Sequence, residues 1–189
     1  MYVEQKDFLD YTGTPSDNVS EELMRRIMVL IGSAESCVDR ITKRKFNVVK
    51  DDTPEETRDF WAEPGTRRIF VGDLDRYTAV RVNGVDYSES TREENIVAGR
   101  PSSWLVATHG FRLSPTSSYG NSVSVTGVWG WREVPYSIKQ ATLLIMHRLS
   151  QRAKSPLGTV TIGDEMMMMM YTDPDVRSLL ADYKLEVGT

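Results

Sequence analysis

The sequence predicts an α+β fold, in which two long packed helices flank an inserted small antiparallel sheet and a short C-terminal helix follows. Two observations predict this fold. Apolar residues recur at three- and four-residue steps in two long segments, residues 20–43 and 135–153, as on one face of a helix. Between them, from Thr57 to Thr126, short segments alternate apolar and polar residues, which is typical of strands with one buried face.

The first long helix is predicted to begin after Asn18 or Ser20, because either side chain can cap it, with Glu21 and Glu22 in the first turn. Its apolar seam is Leu23, Ile27, Leu30, Ala34, Cys37 and Ile41, widened by Met24, Met28, Ile31 and Val38. This wide stripe packs on the second long helix, or part of it contacts a neighbouring subunit. The two interpretations do not exclude each other.

The sheet is predicted from seven short segments. They are Arg58–Ala62, Arg67–Val71, Ala79–Val82, Val85–Tyr87, Trp104–Ala107, Phe111–Leu113 and Ser122–Thr126. Asn83-Gly84 is a two-residue hairpin signal. The segments Ser88–Arg100 and Ser114–Asn121 are rich in charge or in Ser, Gly and Pro, so we expect exposed loops there.

A tryptophan-bearing bend leads into the second long helix. Gly127 and Gly130 punctuate Val128, Trp129 and Trp131, and Pro135 suits the first turn of a helix. The apolar face of that helix is Ile138, Ala141, Leu144, Ile145, Leu149 and Ala153. Ser155-Pro156-Leu157-Gly158 is expected to end it.

Composition limits the class of protein. A chain of 189 residues suits one domain, and its net charge of −4 argues against tight nonspecific binding to duplex nucleic acid. Cys37 is the only cysteine, so no intrachain disulfide is possible and a buried structural role is expected. No apolar run approaches the roughly 20 residues that span a bilayer, and the polar start lacks signal-peptide features. We therefore expect a protein that acts without a membrane.

Catalytic patterns are missing from the sequence. His109 and His147 are the only histidines, so neither an HExxH metal site nor a Cys/His zinc site can be written. The sequence also lacks GxSxG, GxGxxG and the phosphate-loop pattern. We predict that the chain is not an enzyme and has no catalytic residue, no metal and no cofactor.

The segment GVWGWREVPYSIKQATLLIMHRLSQRAKSPLG, from Gly127 to Gly158, followed by Asp173-Pro174-Asp175-Val176-Arg177-Ser178-Leu179-Leu180, resembles the head-to-tail connector (adaptor) proteins of tailed bacteriophages. The end of the first long helix, Val38 to Phe46, is similar to the same family. The resemblance spans most of the chain and is weak between Asp51 and Asn121. It implies a structural virion protein of the neck, assembled in the host cytoplasm, whose ring of twelve subunits sits beneath the portal.

The resemblance also implies partners and contact residues. The portal lies above the ring, a stopper or tail-completion protein lies below it, and genomic DNA passes through without sequence-specific binding. Residues 1–173 are predicted to form one connector domain, and residues 174–189 a helix and tail that dock on the portal. The portal-docking candidates are Arg177, Leu179, Leu180, Tyr183 and Leu185. This last helix alternatively packs only on its own domain.

A run of five methionines is the other candidate contact. It comprises Met166, Met167, Met168, Met169 and Met170. Five consecutive apolar residues cannot all face one side of a helix or strand, and methionine suits adaptable surfaces. We expect the run to contact an adjacent subunit or ring, with plain core filling as the alternative. For the whole chain, the alternatives are a stopper or tail-completion protein of the same neck and, from another class, a small DNA-binding accessory module.

Overall fold

The computed structural model describes residues 1–15, 19–63, 65–88, 90–92, 99–107, 111, 121–153 and 173–185. These residues form two compact units. A helical unit comprises residues 1–47 and 134–189, and a sheet unit comprises residues 48–133. Chain order therefore places the sheet unit as an insertion within the helical one.

Four α-helices make up the described part of the helical unit. They are α1 (Gln5–Thr12), α2 (Glu21–Thr42), α3 (Tyr136–Ala153) and α4 (Pro174–Leu180), and a single 3-10 turn, Ala181–Tyr183, continues α4. Ser20 caps α2, because its hydroxyl accepts a hydrogen bond from the backbone N–H of Leu23. Asp173 caps α4 in the same way and Pro174 follows at the first helical position.

The core of the helical unit lies where α3 contacts α1, α2 and α4. Its fully buried side chains include Ile27, Ile31, Ala34, Val38, Ile138, Ala141, Ile145, Leu149, Val176 and Leu180. Cys37 is buried here as predicted, and burial raises the pKa of its thiol. Leu23, which was assigned to the buried seam, is instead exposed, because it lies in the first turn of α2.

The sheet unit contains six antiparallel strands among the described residues. They are β1 (Glu56–Ala62), β2 (Arg68–Val82), β3 (Val85–Asp86), β4 (Ser90–Arg92), β5 (Ser102–Ala107) and β6 (Asn121–Trp129). Their order is β1-β6-β2-β5-β4, and β3 pairs with β2 beside this path. The core of this unit includes Ile69, Val71, Leu74, Val80, Val82, Leu105, Phe111, Val123 and Val125.

The predicted fold class, two long packed helices with an inserted small sheet, is wrong. The sheet is large and curled, and it has its own hydrophobic core. The described residues of the other unit form four helices of 8, 22, 18 and 7 residues. The error arose in β2, which joins two predicted strands into one of 15 residues. Register shifts near Leu74 and Tyr77 break the two-residue alternation there, so periodicity alone could not detect a continuous strand.

The bounds of other sheet segments also differ from the prediction. β4 lies in a segment predicted to be a loop, and β6 continues to Trp129 through the predicted bend. Phe111 is buried in the sheet core but lies outside any described strand. His109, the predicted loop over residues 114–120 and the five methionines lie outside the described residues.

Candidate functional site: interaction surfaces

The described residues offer surfaces for contact and no metal-ligand cluster. No group of three or more His, Cys, Asp or Glu side chains in the described ranges is placed to hold a metal ion. In the same part of the chain, no helix has the length and hydrophobicity needed to cross a membrane. His147 lies half-buried on α3 with its ring edge against Tyr11.

The N-terminal residues are fastened to α2 through Tyr2. Its hydroxyl donates a hydrogen bond to the Asp39 carboxylate and accepts one of 2.9 Å from the backbone N–H of Phe46. Its own backbone N–H donates to the carboxylate of Glu35. Burial, and then the bond to Asp39, raise the pKa of Tyr2. Burial also raises the pKa of Asp39, although the Tyr2 hydroxyl acts in the opposite direction.

The C-terminal residues meet the same end of α2. The buried ring of Phe46 receives the edge of Tyr2 on one side and a second edge-type contact from Tyr183, with centroids 5.6 and 5.8 Å away. The backbone N–H of Leu185 donates to the carbonyl of Thr42, 2.8 Å away. That carbonyl belongs to the last turn of α2, where no intrahelical donor is available. Both ends of the described chain therefore converge on the segment that follows α2.

The start of α4 is fixed to α3 by charge. Arg148 pairs with Asp173, the cap of α4, and with Asp175, 3.0 Å away. Val176 and Leu180 point into the core. An ion pair and a buried face thus hold this short helix against its own unit.

The portal-docking candidates fall into three groups by exposure. Leu180 is completely buried, whereas Leu179, Tyr183 and Leu185 are half-buried. Arg177 is exposed, as are Ser178, Ala181, Asp182 and Lys184. A rigid partner can therefore reach the polar face of α4 but not Leu180. The methionine run lies outside the described residues.

The outward face of α2 is uncharged over its middle turns. Met28 and Val29 are 48% and 63% exposed, and Gly32 and Ser36 follow on the same side. A β-carbon added at Gly32 would meet no atom within 4 Å. Of the wide stripe predicted from sequence, this face contains Met28.

In the sheet unit, two arginines hold the segment before β1. Arg132 pairs with Asp51 and, at 2.8 Å, with the largely buried carboxylate of Asp75. Arg76 also pairs with Asp75 and donates to the carbonyls of Lys50 and Asp51. The hydrogen bond and the positive charge of Arg132 lower the pKa of Asp51.

The tryptophans recognised in the sequence are anchored to β2. The indole N–H of Trp129 donates to the carbonyl of Val71 at 2.8 Å, and that of Trp131 donates to Asp73 at 3.2 Å. Gly127 lies within β6, where a β-carbon would approach the carbonyl oxygen of Arg76 to 2.4 Å. The GVWGW segment is therefore a strand end locked onto β2 and not a free bend.

The sequence did not reveal the residues that form hydrogen bonds and ion pairs between distant segments of each unit. Tyr2 and Phe46 are 44 positions apart, and Asp51 and Arg132 are 81 positions apart, so no local pattern marks them. The exposed Trp61, on β1, was also missed. The sequence did indicate this exposure. Trp61 lies on the face of its strand where the alternating pattern places polar residues, and it pairs with Ser122 of β6.

Structural comparison finds this fold in particles related to phages. A chain from the neck of the empty gene transfer agent particle, computed with C6 symmetry, superposes with a TM-score of 0.58 at 14% identity, covering 100% of this chain and 92% of that chain. A chain from the virion of the native gene transfer agent particle gives 0.52 at 12% identity with the same coverages. Searches of protein-family models and of curated proteins found no match. At the level of the fold, the resemblance to neck proteins is confirmed.

Proposed function

We propose that this chain is a structural protein of a phage-type neck, the ring-forming head-to-tail adaptor that binds the portal and extends the DNA channel. It also provides the platform for the stopper or tail. The observation that carries this proposal is the fold shared along the entire chain with a chain from a gene transfer agent neck. The resemblance of Gly127–Gly158 to the adaptor family points the same way.

The proposed mechanism is geometric. Copies of the chain close into a ring around the DNA path, twelve of them if the number matches the portal as in the resembled family. The C6 symmetry of the similar neck structure supports a cyclic arrangement. A net charge of −4 suits a conduit that lets DNA slide without gripping it. In this proposal the protein has no catalytic step and no cofactor, and the ring is assembled in the host cytoplasm.

Portal docking is assigned to the exposed side of α4 and the residues after it. Arg177 and Lys184 are exposed there, and Tyr183 is partly exposed. Contact through Leu180 would require α4 to leave its core, because that side chain is fully buried. The polar face is therefore the one available without unfolding.

The test is to mix the purified protein with the portal ring from the same genome and image the product by electron microscopy. The variant Arg177→Glu/Lys184→Glu reverses two exposed charges of the docking face. Lys6→Glu/Lys139→Glu is the matched control, since it makes the same charge change at exposed positions of α1 and α3. Deleting α4 is a poorer test, because Val176 and Leu180 belong to the core.

We expect an additional ring on the portal with the wild type and with the control, and a much weaker ring with the docking variant. A ring of equal occupancy with both variants would leave the adaptor role standing and remove α4 as the docking face. If the wild type leaves the portal bare but binds the next neck component, the protein is the stopper or tail-completion protein instead.

A further inference from the structure

Strand β1 lies at one edge of the sheet, with a single strand beside it. It pairs with β6 over seven residues, from Glu56↔Gly127 to Ala62↔Asn121, and no other described strand pairs with it. Successive residues of an antiparallel strand direct their N–H and C=O groups to opposite sides. About half of the backbone groups of β1 therefore face away from β6, and an edge of this kind accepts one kind of occupant, another extended chain.

β1 lacks several of the usual protections of a sheet edge. Its sequence, ETRDFWA, contains neither proline nor lysine, and its register with β6 has no bulge. Its charges are engaged within the unit. Arg58 pairs with Glu56 and lies 4.3 Å from the ring centroid of Trp129, and Asp59 accepts a hydrogen bond from the hydroxyl of Ser124. Each of these charged side chains therefore has a partner within its own unit, although all three remain exposed.

The other edge strands are shorter over the described residues. β4 has three residues there and β3 has two. β1 is more than twice as long as either and carries Trp61, which is 63% exposed. A large aromatic side chain beside such an edge can anchor an interface.

We propose that β1 pairs with the opposite edge of the sheet, β4, in the neighbouring copy of this chain, and that Trp61 packs at the junction. The inference rests on the proposed ring. A ring closes only through two different, complementary surfaces on each copy, and the two dissimilar edges of this sheet supply such a pair. Pairing of β1 with a second β1 would instead be symmetric about a two-fold axis and would stop at a dimer.

Cysteine cross-linking tests which strands meet. In a Cys37→Ala background, one cysteine at Thr57, Asp59 or Trp61 is combined with one at Ser90 or Arg92, and each variant is oxidised after assembly on the portal. We expect at least one combination to give a ladder of cross-linked species beyond the dimer, while variants with a cysteine only in β1 remain uncross-linked. Dimers from a cysteine in β1 alone, or no ladder from any combination on a ring visible by electron microscopy, would overturn the inference.

Proline substitution tests the edge itself without depending on the register. The N–H groups of Thr57 and Arg58 point to opposite sides of β1, so proline at one position breaks the ladder with β6 and proline at the other removes only an outward donor. The position whose N–H points outward is identified from melting temperatures, because there the proline variant melts close to the alanine variant. We expect that folded proline variant to lose ring assembly while its alanine counterpart keeps it. Normal assembly of the folded proline variant would contradict the proposal.

The proposed contact of Trp61 is tested by comparing a substitution of Trp61 with one of Val85. Trp61 and Val85 are exposed to 63% and 62% in the same unit. We expect Trp61→Ser to weaken assembly by about tenfold or more, as for an interface anchor, and Val85→Ser to leave it unchanged. Equal behaviour of the two variants would argue against Trp61 at the junction. If the wild type forms no ring on its portal, the proposed function fails together with this inference, whereas a ring without the β1 effects overturns the inference alone.

Discussion

The hydroxyl of Tyr2 donates a hydrogen bond to the Asp39 carboxylate while it accepts one from the backbone N–H of Phe46. One side chain near the start of the chain thereby forms hydrogen bonds with one group in the last turn of α2 and with another shortly after that helix. The ring of Phe46, in turn, contacts Tyr183. The segment proposed to dock on the portal is thus positioned by residues at the N-terminus.

Removing this hydroxyl should destabilise the helical unit. Tyr2→Phe keeps the ring but leaves the N–H of Phe46 and the carboxylate of Asp39 without their shared partner, and a buried group that loses its hydrogen bond costs roughly 1–3 kcal/mol. Urea unfolding measures the change. Tyr11→Phe is the matched control, because Tyr11 is partly exposed. A loss no larger than that of the control would show that the Tyr2 hydroxyl contributes no stability.

The same hydroxyl predicts a loss of stability in alkali. The pKa of Tyr2 is raised by burial and by Asp39, whereas an unfolded tyrosine loses its proton near pH 10. Above about pH 10 the folded state therefore binds more protons than the unfolded state, and the free energy of unfolding falls as pH rises.

Between about pH 9 and pH 11, the wild type should lose its advantage over Tyr2→Phe, by at most about 1.4 kcal/mol per pH unit. Urea unfolding of both proteins at several pH values gives the difference directly. Parallel pH profiles for the two proteins would rule out a raised pKa at Tyr2.

Two glycines should respond to alanine in opposite directions. At Gly127 the new β-carbon would lie 2.4 Å from the carbonyl oxygen of Arg76, so β6 and β2 must separate, at a cost of roughly 1–3 kcal/mol. At Gly32 no atom lies within 4 Å, and alanine inside a helix is favoured by about 0.5–1 kcal/mol. Thermal melts of the two variants test this. Equal shifts would mean that the close approach at Gly127 is absent in solution.

Two arginines of the sheet unit should differ in importance. Arg132 joins Asp51 to the largely buried Asp75, whereas Arg81 pairs with Asp86 in solvent, where ion pairs contribute little. Arg132→Ala should lower the urea midpoint more than Arg81→Ala does. Because the pKa of Asp51 is lowered, its contribution should disappear as pH falls below about 4, the unfolded value. An equal effect of the two substitutions would contradict the bridging role of Arg132.

Local signals in the sequence predicted the helices well. Ser20, one of the two predicted caps, does cap α2, and the three- and four-residue steps identified α2 and α3. The size of the sheet was not predictable in the same way. Gly72, with φ of 79°, and the register shifts near Leu74 and Tyr77 interrupt the alternation of β2 without ending the strand.

The portal-docking candidates stay a prediction, and they differ in exposure. Arg177 is exposed, so a partner can reach it. Leu180 was chosen because it is apolar, but it is buried in the core of its own unit. Composition cannot distinguish an apolar side chain that faces a partner from one that faces its own core. The roles of Tyr2 and Arg132 depend on partners far away in the chain, so they became visible only in the folded structure.

The most direct test of the central claim is to count the copies of this chain on one portal ring. The purified complex is imaged without imposed symmetry, and its mass gives the number of added 21.4 kDa chains. The proposed adaptor role predicts one closed ring beneath the portal, with as many copies as the portal has subunits. Portals that stay bare, or that carry isolated copies without closure, would contradict it.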